Sequence, residues 1–192
     1  MSRKKQITED SLIEAALALA TRMPWEQVSL QDIAREAGAT LASVHKIVKG
    51  KDEVLAAYER QIDSILLERM QGAFSAETPE REKLFDILME RFDILNEHKV
   101  AIASIIDAAK LNPHHVVAGL PNIMRSMLWA LELAEINVTG WQGCLRVTGL
   151  TGVYLFTLKK FLEDETADLS KTMAALDKAL GHAEKAAEFF NL

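Results

Sequence analysis

The sequence predicts an all-α protein in which a small three-helix head precedes a larger helical bundle. Three observations carry this prediction. Apolar residues recur at spacings of three and four along almost every segment, with no sustained strand-like alternation. Prolines stand only at positions 24, 79, 113 and 121, mostly near expected element boundaries. The stretch from Ser29 to Lys51 carries start and stop signals for two short helices joined by a glycine turn.

The first helix is expected over about 8–21, with Leu12, Ala15, Ala16 and Leu19 on one face. Pro24-Trp25 follows, and Trp25 is expected to fill the core of the head. Ser29 can cap the second helix, with Asp32 three residues later as a near capping box. Leu30, Ile33, Ala34 and Ala37 give that helix an apolar face. Gly38 stands where a left-handed backbone ends it. Thr40 can cap the third helix, whose inner face is read as Leu41, Val44 and Val48. Helix, tight turn, helix is the arrangement that places its second helix in the major groove of DNA. The fourth helix, about 51–70, turns Leu55, Ile62, Ile65, Leu66 and Met70 inward and links head to body.

The body begins after a loop at 72–78, where Thr78-Pro79 is a helix start signal. A helix over about 79–95 carries Leu84, Phe85, Leu88, Met89, Phe92 and Leu95. A short helix follows at 99–109. Asn112-Pro113 breaks it, and Pro121 kinks or restarts the next segment, which runs to about 134. Two closing helices are expected at about 141–162 and 168–190. Leu150, Val153, Tyr154, Leu158 and Phe161 line the first of these, and Met173, Leu176 and Leu180 the second. Gly149 and Gly152 would admit a partner helix closely. Such stripes suit either a four-helix bundle across a two-fold axis or the chain's own core.

Composition narrows the function. The 192 residues are 49% apolar and 26% charged, an ordinary globular balance for one or two domains. There is no apolar run of membrane-spanning length and no signal-peptide pattern, so a cytoplasmic setting is expected. The single Cys144 excludes an internal disulfide and a thiolate metal cluster within one chain. Adjacent His114 and His115 lack the i, i+4 spacing of a helical metal pair and read as helix-end histidines. Asp63, Glu68 and the acidic run at 163–168 read as solvated faces and a loop. No phosphate-binding glycine loop and no nucleophile–histidine–acid set stands out. Neither catalysis, nor a cofactor, nor a metal is expected.

The net charge of −6 is unevenly spread: through Lys51 there are eight Lys/Arg against six acids, a surplus of +2, leaving −8 for the remainder. The cations cluster at Arg3-Lys4-Lys5 and at Lys46, Lys49 and Lys51, where they can neutralise phosphates or form a solvated surface. The third helix offers Thr40, Ala42, Ser43, His45 and Lys46 outward as candidate contacts to bases and phosphates. Ser29, Gln31 and Lys51 are further phosphate candidates. In the body, Phe85, Met89, Phe92, His98, Ile102, Trp129 and Tyr154 combine apolar lining with a few polar groups, as a small-molecule pocket needs.

From the N-terminus through Leu55 the sequence resembles the TetR family of bacterial repressors. The matching pieces are Ala15-Ala16-Leu17 with Leu19, Val28-Ser29-Leu30, Asp32-Ile33-Ala34, Glu36-Ala37-Gly38 and Lys51-Asp52 with Leu55. His45 and Val48 stand where the family usually has a tyrosine, typically a phosphate contact, and a phenylalanine. The resemblance implies a head over 1–50 and a ligand-binding and dimerisation body over 51–192. It implies a homodimer joined by its last two helices, with Leu150, Val153, Leu158, Phe161, Met173, Leu176 and Leu180 as interface. It also implies double-stranded operator DNA as partner, and a small apolar or amphipathic effector that shifts the spacing of the two heads. A second resemblance covers Gly149 to Asp164 with Thr172 to Asp177. This part looks like the TetR-fold lipid-binding protein of coenzyme Q biosynthesis, which implies an isoprenoid carrier that binds no DNA.

Overall fold

Thr8 opens the first helix with a reciprocal capping box, its hydroxyl oxygen accepting from the Ser11 amide and the Ser11 hydroxyl oxygen from its own. From there the structure, a computed structural model, describes residues 7–111 and 113–189, with the side chains of 111–118 outside the description. The described residues form α1 (Glu9–Arg22), a 3₁₀ turn (Trp25–Gln27), α2 (Leu30–Glu36), α3 (Leu41–Val44) and α4 (Lys51–Met70). These are followed by α5 (Glu80–Asn96), α6 (Lys99–Leu111), α7 (Pro113–Leu133), α8 (Gly140–Glu163) and α9 (Ser170–Phe189). The all-α expectation holds. Pro121 lies inside α7, which runs through it without restarting. The Arg3-Lys4-Lys5 cluster and the side chains of His114 and His115 lie outside the described residues.

The chain divides into two compact units. One comprises the residues up to Gln61 together with His98–Asn122; the other comprises Ile62–Glu97 and the residues from Ile123 onward. This differs from the expected boundary at residue 50. The reason is a long-range return of the chain. In the first unit α6 packs on α1 and on the 3₁₀ turn, and the Ser104 hydroxyl oxygen accepts from the Trp25 amide at 3.0 Å. Leu12, Ile33, Val44, Val48 and Trp25 form the core there, each at most 2% exposed.

The second unit is built on α5, α8 and α9, which pack on one another. Phe92 stacks on Tyr154, ring centroids 5.5 Å apart, and tilts against Phe161 at 5.2 Å. Beside them Arg91 is wholly buried. Its Nη1 donates to Asp63 Oδ1 at 2.5 Å, and its guanidinium lies 5.4 Å from the centre of the Tyr154 ring. The Ser126 hydroxyl donates to the other Asp63 oxygen at 2.8 Å. Asp63 is therefore an internal anion and not the solvated carboxylate expected from the sequence.

Asp164 is a second correction. It is 1% exposed and joins α8 to α9. One oxygen accepts from the amide and hydroxyl of Thr166; the other accepts from the amide and hydroxyl of Thr172. Burial opposes its charge, but the four hydrogen bonds outweigh burial and hold the carboxyl far below the usual carboxylate range. Asp164→Asn is therefore expected to lower stability at pH 7 by about 2 kcal/mol, the scale of hydrogen bonds to a charged group. The folded-state pKa is depressed, so this stabilisation is complete above the unfolded value of about 4 and is lost as pH falls below it. Urea unfolding of both forms between pH 7 and pH 3 should show the gap constant down to about pH 5 and beginning to narrow at the acid end.

Candidate nucleic-acid interface

Two capping boxes shape the surface of the head. At α2, the Ser29 hydroxyl donates to Asp32 Oδ2 at 2.5 Å, the Ser29 amide donates to the same oxygen, and the Asp32 amide donates back to Ser29 Oγ. The Ser29 hydroxyl, then its amide, hold the Asp32 carboxyl below its ordinary range. The helix ends at Gly38, whose φ of +66° is the left-handed turn read from the sequence. At α3, the Thr40 hydroxyl donates to Ser43 Oγ at 3.2 Å, and the Ser43 hydroxyl donates to the Thr40 carbonyl at 2.7 Å. Both side chains offered as readers of bases are thus engaged with each other.

α3 itself is a single turn. Beyond it the backbone continues in tight turns, with Ile47 N–H donating to the Val44 carbonyl at 2.9 Å and Val48 N–H to the same oxygen at 3.0 Å. Val44 and Val48 are buried as expected, but Leu41 is not on the inner face: it is 51% exposed. With Leu30 it walls an open groove of about 400 Å³ floored by Val44 and Val48, with Ala42, His45 and Lys49 also lining it. Gln31, Ala42, His45 and Lys46 are exposed, and Thr40 and Ser29 are exposed at the caps.

Lys51 has a structural partner set. Its ammonium donates to the carbonyls of Trp25 at 3.0 Å and Val28 at 3.1 Å and lies 5.1 Å from the centre of the Trp25 ring. Burial pushes its pKa down, against Asp52 and Glu26, which raise it. Two of its three N–H donors are thereby used inside the head. No local signal marks this role, because the carbonyls belong to residues 26 and 23 positions away.

The body candidates divide between the units. In the second unit, Phe92 and Tyr154 are core, Phe85 and Met89 are half-buried, and Trp129 is exposed. In the first, Ile102 is buried and His98 is exposed, meeting Tyr58 edge-on at 5.9 Å. The closing helices require a correction. Leu150, Val153, Leu158, Phe161, Leu176 and Leu180 are buried within the chain; of the expected interface only Met173 is exposed. α8 has a second apolar face: Trp141, Leu145 and Phe156 are exposed on it, with Gly149 and Gly152 at intervening positions where a Cβ would meet nothing within 4 Å. Among the described residues no group of three or more His, Cys, Asp or Glu side chains is placed to hold a metal ion, and no helix is long and apolar enough to cross a membrane.

A helix-turn-helix within an all-α chain of this element order defines a class of folds shared with known regulators. The TetR transcriptional regulator of Nitrosomonas europaea matches with a TM-score of 0.73 at 23% identity, over 92% of this chain and 97% of its own. A TetR transcriptional regulator from a Rhodococcus species matches at 0.66 and 17% identity, over 91% and 93%. SmeT, the repressor of the Stenotrophomonas maltophilia multidrug efflux pump SmeDEF, matches at 0.57 and 19% identity, over 92% and 90%. The chain has the fold of the TetR regulators. No family model matches the sequence, and no curated protein sequence does.

Lys51 and Lys46 differ in what they hold within the chain: the first is partnered and the second is exposed. Lys51→Met is expected to cost about 1–3 kcal/mol of stability, because two carbonyls and an aromatic face lose their cation. Lys46→Ala, at an exposed position, should stay within about 0.5 kcal/mol of the parent. Thermal and urea unfolding of the two variants make the comparison.

Proposed function

We propose that this chain is a DNA-binding transcriptional regulator of the TetR type, most simply a repressor, that acts as a homodimer under the control of a small apolar or amphipathic effector. The observation that carries the reading is the head: a helix-turn-helix fixed by two capping boxes, with Ala42, His45 and Lys46 exposed beyond the second cap. Its setting supports the reading, since the fold is shared with regulators over nine-tenths of the chain. Repression is the stated role of SmeT and is carried over here as part of the proposal. Phe85, Met89 and Trp129, which are not fully buried, are the proposed effector contacts. The proposed dimer surface is the outer face of α8, with Trp141, Leu145 and Phe156, together with Met173 of α9. Gly149 and Gly152 allow two such helices to approach closely. The setting is the cytoplasm.

Selection from randomised duplex DNA at two salt concentrations tests the recognition. The expected result is an enriched palindrome whose binding Lys46→Ala weakens. Motif-free binding that vanishes at moderate salt is phosphate attraction alone and overturns the reading. Isoprenoid lipid found by mass spectrometry in such a preparation would then favour the carrier reading.

The dimer surface has its own test. The double variant Leu145→Glu with Phe156→Glu, at residues 44% and 51% exposed in the single chain, is expected to halve the mass in sedimentation equilibrium while the helical content stays. An unchanged mass would remove α8 from the interface.

A further inference from the structure

The head carries an apolar reading element that the proposed function does not yet use. We infer that the first turn of α3 reads the 5-methyl group of thymine, with Leu41 as the contacting side chain and the small Ala42 beside it leaving room for the base edge. The inference rests on the DNA-binding reading and deepens it.

In a helix-turn-helix the N-terminal residues of the second helix face the base edges. Here those residues are Leu41 and Ala42, which follow the cap residue Thr40. The hydroxyl protons of Thr40 and Ser43 are both committed within the capping box, one to Ser43 Oγ and one to the Thr40 carbonyl. Neither hydroxyl is then available as a donor unless the cap opens. Besides the cap residue Thr40, the exposed polar side chains of the segment, His45, Lys46 and Lys49, lie beyond α3 in the turns that follow it. What the first turn presents is therefore aliphatic: Leu41, 51% exposed, at the wall of a groove floored by Val44 and Val48. Of the groups on the major-groove edges of the base pairs, the thymine methyl is the apolar one. A leucine left half in water gains by covering it, and lysines 46 and 49, on the same segment, can meet the flanking phosphates.

Deoxyuridine pairs as thymidine does and lacks only the methyl, so it isolates this contact. The experiment takes the duplex enriched by selection and replaces each thymidine in turn by deoxyuridine, reading affinity by fluorescence anisotropy. At one or more positions per half-site the affinity should fall about fourfold, the worth of one buried methyl-sized group. Leu41→Ala should bind the parent duplex more weakly and lose that sensitivity, whereas Leu41→Met should keep it. Lys46→Ala should weaken both duplexes by the same factor. Leu41 is exposed, so these variants are expected to fold, and their unfolding midpoints serve as control. An enriched motif that tolerates every replacement, or a sensitivity that persists in Leu41→Ala, overturns this inference and leaves the DNA-binding reading in place. Failure to enrich any motif overturns both.

Discussion

Trp25 is the junction on which the geometry of the head depends. Its ring is 2% exposed, its amide is held by Ser104 of α6, and its carbonyl is held by Lys51 at the start of α4. The same ammonium faces the ring. Pro24 before it excludes a continuing α1, and Val28 after it, also held by Lys51, delivers the chain to the cap of α2. One buried aromatic residue and one cation thus fix where α1 ends, where α2 begins and where α4 and α6 meet them. Backbone groups at this junction are partly buried, and leaving such groups without partners costs up to what a hydrogen bond is worth.

Short polar side chains are used throughout as helix-end chemistry. Thr8 with Ser11, Ser29 with Asp32 and Thr40 with Ser43 close reciprocal boxes, and Asp164 binds two threonines across the α8–α9 connection. The hydroxyls and the carboxylate of these three boxes, which look available for binding, are therefore already engaged within a turn of their own positions. The acidic excess of the chain is likewise not all on the surface. Asp63 neutralises the buried Arg91, an arrangement in which removing one partner is far more damaging than removing both.

Local signals were legible and long-range ones were not. The cap residues Ser29 and Thr40, the turn glycine Gly38 and the span of α4 follow from rules that act within a few residues, and the structure shows each of them. The return of α6 to the first unit was invisible, because Trp25 and Ser104 are 79 positions apart. The two faces of α8 were confused for a different reason. Both are apolar, so periodicity reports two stripes without saying which one the chain covers itself. Leu150, Val153 and Phe161 fill the core, and Leu145 and Phe156 remain outside. Leu41 misled by hydrophobicity: it follows the cap directly and falls on the open side of a helix too short to have a settled inner face.

On the proposed DNA-binding reading, the brevity of α3 has a consequence for how an address on a chromosome can be encoded. A helix of four residues touches few base edges, so each head carries little information, and a word that short recurs by chance throughout any genome. Selectivity in such a system comes from syntax and not vocabulary: two short words at a fixed distance and in opposite orientation. On the proposed reading, the separation between the two words would carry much of the message, and whatever changes that separation would erase the address without altering a single letter-reading contact.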